Sequence, residues 1–370
     1  MNRLLALMVV MLALVAVPTP AHADGPAGCA LPGRTGWTDE GHDTDPVQFL
    51  RATGRIRAVM LFVDFPDAPA SESTQEYYDA LAPAGPYLSK VSNGRARLTV
   101  TPVRRWLRMP QDSTTYGFDR GITYEQHQRY VGQAVAAADA EVDFSRYDIV
   151  YIVPNRQASA ITFSPTYLWD PADPGVVADG APVRWGVTFG QDMWRWGYKV
   201  LAHETGHAFG LPDLYAFSGP DYHRFVGGWD VMGLIGGPSP EPFAWHAWKL
   251  GWISDAQVSC ATRGVHRLTP VEERGGRKLV VVRTGETTAY AVEYRKGSSC
   301  SGGVVIYKVD SSTATGEGPV RVMDARPGVP SAGCHALDDA AYPDGGRFTA
   351  DGVSITVRGQ SVEVHKQLNM

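Results

Sequence analysis

Two histidines and a glutamate stand together at His203-Glu204-Thr205-Gly206-His207, within a chain of 370 residues. On a helix, positions four apart lie one turn above each other on the same face. The imidazoles of His203 and His207 can then reach a single Zn²⁺, at about 2.0–2.1 Å each. Glu204, beside the first of them, is placed to hold and deprotonate a water rather than to bind the metal. Asp213 supplies a third, oxygen ligand if the chain turns back after the helix. Three protein ligands with one open position are the pattern of a catalytic zinc, not a structural one. The chemistry this allows is hydrolysis: zinc brings the pKa of its water toward ~7, and Glu204 takes the proton as the water attacks a carbonyl. The bland alternative is a core helix whose histidines bond elsewhere, with Asp213 capping the next segment.

The elements that must position these residues are legible nearby. A helix is expected to begin near Tyr198 and to end at Gly210, which comes three residues after His207 and accepts positive φ. Pro212 cannot extend a helix, so the chain must turn there. Downstream, Gly227-Gly228-Trp229-Asp230-Val231-Met232-Gly233 reads as a tight turn tucked beneath the metal. Glu241, His223 and His246 are chemically able to compete for the third ligand position. Glu241 precedes Pro242, which places it at a helix start, and neither histidine has the spacing to recommend it, so Asp213 is preferred. Tyr215 is read as packing rather than as an oxyanion donor.

The chain is 44% apolar and 20% charged, ordinary for a globular protein with a full core. Residues 1–23 read as a secretory signal, with Arg3 before an uncharged apolar run, a Pro18-Thr19-Pro20 break, and Ala21-His22-Ala23 at the cleavage positions. The run is shorter than the ~20 residues of a bilayer span. The formal charge of −5 argues against nucleic acid and against anionic membranes as partners. The expected partners are protein or peptide substrates, without stable membrane association after signal cleavage, and the expected state is an extracellular monomer. Four cysteines in an exported chain favour two disulfides. Of three pairings, Cys29–Cys260 with Cys300–Cys334 is expected.

The remaining chain divides by texture. Residues 24–54 are an extended N-terminal segment, in which His42, Asp43 and Asp45 read as solvated loop. Strands are expected at 55–63, 97–103 and 149–153, and helices at 73–81 and 123–140. Asn93-Gly94 marks a turn, since both residues tolerate positive φ. Residues 154–195 are Gly- and Pro-rich loops and short strands, where Asp170, Asp173 and Asp179 offer oxygens to Ca²⁺ as a further cofactor. A short aromatic helix ends near Gly251, its Trp245 and Trp248 read as core. Beyond Ser254, short β runs at 265–268, 278–283, 289–294, 303–309, 353–357 and 362–365 predict a β-sandwich. The fold class is therefore α+β: a zinc-peptidase domain at 55–254, with a mixed twisted sheet and active-site helix, followed by a smaller β-sandwich-like domain at 255–370.

His203-Glu204-Thr205-Gly206-His207-Ala208-Phe209-Gly210-Leu211-Pro212-Asp213-Leu214-Tyr215, followed by Gly228-Trp229-Asp230-Val231-Met232-Gly233, resembles the immune inhibitor A-like secreted metallopeptidases of bacteria, which look like metzincins. Leu61-Phe62-Val63-Asp64-Phe65-Pro66-Asp67, Val91-Ser92-Asn93-Gly94 and Ala247-Trp248-Lys249-Leu250-Gly251-Trp252 are also similar to that family. So is the run from Gly303 to Asp310, and the resemblance extends over residues 55–310. It implies a metzincin-like fold and a secreted zinc endopeptidase. His203, His207 and Asp213 would be ligands, Glu204 the general base, and Met232 the methionine turn. The family uses calcium too, but no stretch here carries a calcium site over residue by residue. A short N-terminal region in place of a long propeptide departs from the family pattern. The competing functional class is a non-catalytic secreted binding protein that keeps zinc structurally. A third reading is hydrolysis of a non-peptide amide or ester.

Overall fold

The computed structural model describes residues 26–237, 241–297, 302–328 and 334–367. Its architecture mixes several sheets with few helices, in keeping with the expected α+β class. The chain runs β1 (Gly54–Asp64), α1 (Thr74–Leu81), α2 (Ala84–Val91), β2 (Ala96–Arg108), α3 (Tyr124–Ala138) and β3 (Ile149–Pro154). Short strands follow, β4 (Thr166–Leu168), β5 (Val177–Ala178), β6 (Ala181–Pro182) and β7 (Trp185–Thr188), then helices α4 (Met193–Trp196), α5 (Tyr198–Ala208) and α6 (Ala244–Lys249). The rest is strand: β8 (Val258–Cys260), β9 (Arg263–Arg267), β10 (Leu279–Arg283), β11 (Thr288–Arg295), β12 (Gly303–Asp310), β13 (Val320–Val322), β14 (Arg347–Ala350), β15 (Val353–Arg358) and β16 (Ser361–Lys366).

The first sheet has the order β2-β1-β3-β7-β4, parallel except for β4, which pairs antiparallel with β7 at one edge. Residues 58–63 of β1 and all of β3 are apolar because both faces are covered there. Ala58, Met60 and Phe62 of β1, with Ile149, Tyr151 and Val153 of β3, face the core that holds α1, α2 and α5. Val59, Leu61, Val63, Val150 and Ile152 point to the other core, which α3 closes with Tyr130, Val131, Ala134, Val135 and Ala138. Helix α3 starts on a capping box between Thr123 and Gln126. The Asn93-Gly94 turn adopts positive φ at both residues, 56° and 80°, and delivers the chain into β2. Helix α2 precedes that turn.

The C-terminal strands form two sheets, β13-β12-β11-β10-β8 and β14-β15-β16-β9. Val280, Val282, Val292, Val304 and Ile306 face Phe348, Val353, Ile355, Val362 and Val364 across the gap, a sandwich core. The opposite residues of the five-stranded sheet, among them Val281, Ala291, Val305 and Tyr307, belong to the core shared with the first sheet and its helices.

The N-terminal segment is packed rather than solvated. Phe49 and Leu50 are buried, and the His42 ring lies 4.6 Å from Trp245 and 4.0 Å from Trp248. Burial, with Lys249 and His246 nearby, pushes His42 down to about 3, so it is neutral. Asp43 and Asp45 are exposed on a loop, as expected, but His42 is not solvated, because the aromatic surface of α6 offers it more apolar contact than water does. Cys29 is bonded to Cys260, Cα to Cα 5.6 Å, tying this segment to β8. For the second expected pair, Cys300 lies outside the described residues, as do residues 1–25 with the expected signal. Among the described residues no helix is long and apolar enough to cross a membrane.

Candidate metal centre

Helix α5 carries His203, Glu204 and His207 and is anchored to the sheet, where Tyr151 of β3 shares a 2.9 Å hydrogen bond with the Thr205 hydroxyl. Its C-terminus closes in a Schellman arrangement. Leu211 N–H donates to the Gly206 carbonyl at 3.0 Å, and Gly210 N–H to that of His207 at 2.9 Å. Gly210 takes the left-handed conformation this requires, φ 91°. The reversal brings Asp213 Oδ1 to 3.1 Å from His203 Nε2 and 3.2 Å from His207 Nε2. Glu204 Oε1 stands further off, 3.9 Å from His203 Nε2.

The tautomers of both rings follow from the main chain. His203 Nδ1 faces the Val231 carbonyl and His207 Nδ1 the Leu211 carbonyl, each at 2.8 Å. A carbonyl only accepts, so both Nδ1 atoms carry hydrogen, and each ring, in its neutral form, would turn an Nε2 lone pair toward Asp213. Among the described residues, the buried Asp213 Oδ1 has no hydrogen-bond partner other than these two nitrogens. Three lone-pair donors thus converge on one point. Protonating both rings instead would put two buried cations with ring centres 4.8 Å apart. One divalent cation would resolve the convergence. A tetrahedral ion with bonds of about 2.0–2.1 Å sets neighbouring donors about 3.3–3.4 Å apart, close to the spacings found. His203, Glu204 and His207 also form a cluster whose ligand atoms lie within 4.8 Å of one another. Asp213 is the better third ligand than Glu204, because its oxygen is nearer to both nitrogens.

The electrostatics favour an ionised Asp213 and a protonated His207, whose proton a bound metal ion would have to displace. Burial drives Glu204 up to about 7, against the pull of His203 and His207. Burial also opposes the charged forms of His207 and Asp213. The Asp213 and Glu204 carboxylates nonetheless raise His207 to about 9, and the two imidazoles hold Asp213 well below the usual carboxylate range. Asp213 is thereby kept ionised as a ligand must be, while Glu204 is balanced between base and acid.

Met232 is fully buried beneath α5, its sulfur 2.6 Å from where a Cβ on Gly206 would stand. Its main-chain carbonyl accepts the Leu214 N–H at 2.9 Å. The turn is held in place by Asp230, which accepts N–H groups from Met232 at 2.7 Å and Phe243 at 2.6 Å. His246 bridges Asp230 Oδ2 at 2.8 Å and Glu40 Oε1 at 3.0 Å, all three fully buried, so this alternative ligand is committed to the scaffold. Glu241 instead pairs with Lys90 at 3.4 Å. His223 sits on the loop capped by Asp221. The ring of Tyr215 is stacked 6.2 Å from His203, at 26°.

Thr166 has no motif to announce it. It stands on edge strand β4, and its hydroxyl lies 2.8 Å from Glu204 Oε2 and 2.9 Å from the Glu204 carbonyl. The loop aspartates considered for calcium are engaged by protein donors: Asp170 by Ala172 N–H, Asp173 by Gln128 and Gly175, and Asp179 by Phe144 N–H. Comparison with protein-family models and with curated proteins finds no match, so the site is read from its own geometry.

Proposed function

We propose that this chain is a secreted zinc endopeptidase of the metzincin-like kind that its motifs resemble. The observation that carries the reading is the buried Asp213 Oδ1 facing two imidazole nitrogens at 3.1 and 3.2 Å, with no other hydrogen-bond partner among the described residues. His203, His207 and Asp213 would hold the metal. A bound zinc ion would supply Lewis acidity, polarising a peptide carbonyl and acidifying water. Glu204 takes the proton of the attacking water and returns it to the leaving amine. Thr166 holds one Glu204 oxygen, which leaves Oε1 directed toward the ligand side. The Cys29–Cys260 bond supports an oxidising, extracellular compartment.

The test is hydrolysis of casein and of a peptide library by purified protein, with and without a chelator, alongside metal analysis. Chelator-sensitive cleavage of internal peptide bonds and about one zinc per chain are expected. Zinc without cleavage would favour the non-catalytic binding protein, and cleavage confined to esters or non-peptide amides would reassign the substrate.

A further inference from the structure

We infer that the C-terminal sandwich belongs to the metal centre, because its β12–β13 loop sets the main chain of Asp213 through Thr315. The inference rests on reading Asp213 as a ligand and extends it to a residue 102 positions downstream.

Thr315 Oγ1 accepts the Asp213 N–H at 2.8 Å. Gly316 N–H donates to the Asp213 carbonyl at 3.1 Å, and Phe217 N–H donates to the Gly316 carbonyl at 3.1 Å. Both polar main-chain groups of the third ligand are therefore bonded to one loop of the other half. Residues 211–214 carry no helix or strand of their own, so their local chain lacks the ladder that usually fixes a ligand's direction. The loop, by contrast, is braced. Asp310 N–H closes its base onto the Pro319 carbonyl at 2.8 Å, Ser311 N–H bonds the Thr287 carbonyl at 2.9 Å, and the Ser311 hydroxyl bonds the Pro32 carbonyl at 2.6 Å. Gly316 allows the close approach: its φ is 75°, and a Cβ there would stand 2.3 Å from Phe217 Cγ. A rigid hairpin end thus holds an irregular, ligand-bearing segment, and Thr315 is a positioning residue for the metal.

The test is zinc affinity of the full chain, measured by competition with a chromophoric chelator, for wild type, Thr315→Val and Thr315→Ser. Thr315→Val should bind zinc about 10–100-fold more weakly, with its far-ultraviolet circular dichroism and its unfolding midpoint in chelator unchanged. Thr315→Ser, which keeps the acceptor, should restore wild-type affinity. Thr315→Ala carries the same expectation as valine if the valine protein does not fold. Wild-type affinity in the valine or alanine variant, or no rescue by serine, overturns the inference and leaves the ligand assignment standing. Failure of wild type to take up zinc overturns both.

Discussion

His203 donates its Nδ1–H to the carbonyl of Val231, 2.8 Å away, so the residue before the buried methionine decides which nitrogen of the first proposed ligand faces Asp213. His207 is governed in the same manner by Leu211, just past the helix end. Neither carbonyl depends on a side-chain type, and both depend on how the backbone turns. The centre is built on two turns as much as on a helix.

Glu204→Gln preserves shape and hydrogen-bonding reach but cannot accept a proton. Zinc content should match wild type, and kcat/KM on a peptide substrate should drop by about 10²–10⁴. Retained activity measured on that variant would remove Glu204 from its role.

Gly206→Ala drives a methyl to within 2.6 Å of the Met232 sulfur. The helix or the methionine turn must then shift, at about 1–3 kcal/mol, with weaker zinc binding because the turn carries the Val231 carbonyl. Met232→Leu conserves volume and should lose less than about 1.5 kcal/mol. Chemical denaturation of both, in chelator, checks the difference.

Gly210→Ala places a side chain at φ 91° and 3.1 Å from Thr44 Cγ2. The strain should lower stability by about 1–3 kcal/mol, and zinc affinity should fall because the reversal aims Asp213. A denaturant titration paired with zinc titration reads both effects.

The buried His246, between Glu40 and Asp230, sets a pH window. Burial opposes its charge, but the two carboxylates raise it to about 10. A folded pKa above the unfolded value of about 6.5 contributes stability that is complete below pH 6.5 and fades as pH climbs toward 10. Asp230 is shifted the other way, down: burial opposes its charge, and His246 outweighs that. Its contribution is present above its unfolded pKa and fades as pH falls below it. His246→Gln should therefore cost on the order of 3–5 kcal/mol near pH 6 and should lose the alkaline decline attributable to this residue. Thermal melts of both proteins from pH 6 to 10 measure the difference.

Cys29 and Cys260 close a loop spanning 231 positions. Cys29→Ser with Cys260→Ser should destabilise the protein by about 2–5 kcal/mol, seen as a lower melting temperature that a reductant does not lower further through this bond.

Much of the centre was legible because its chemistry is written in spacing: His203 and His207 at one helical turn, then Gly210 and Pro212 to reverse the chain. The buried strands were legible too, since apolar runs such as those of β1 and β3 have both faces covered. Other features left no local trace. Helix α2 carries Pro86 in its first turn, which tolerates proline because that N–H has no partner within the helix. Strand β4 spans only Thr166–Leu168 and exists through its pairing with β7. Thr166 and Thr315 act through single hydroxyl oxygens on segments that only the folded chain brings near the ligands. His42 looked solvated because Trp245 and Trp248 lie far downstream.

The five-stranded sheet has a consequence of its own. Val281, Ala291, Val305 and Tyr307 share one apolar interior with Leu211, Trp229 and Met232, whereas their strand neighbours Val280, Val282, Val304 and Ile306 fill the sandwich. Every central strand there is a party wall, so melting one side strips the other of its lining. The two halves are therefore expected to unfold together, and a cut near residue 254 to expose the apolar faces of both.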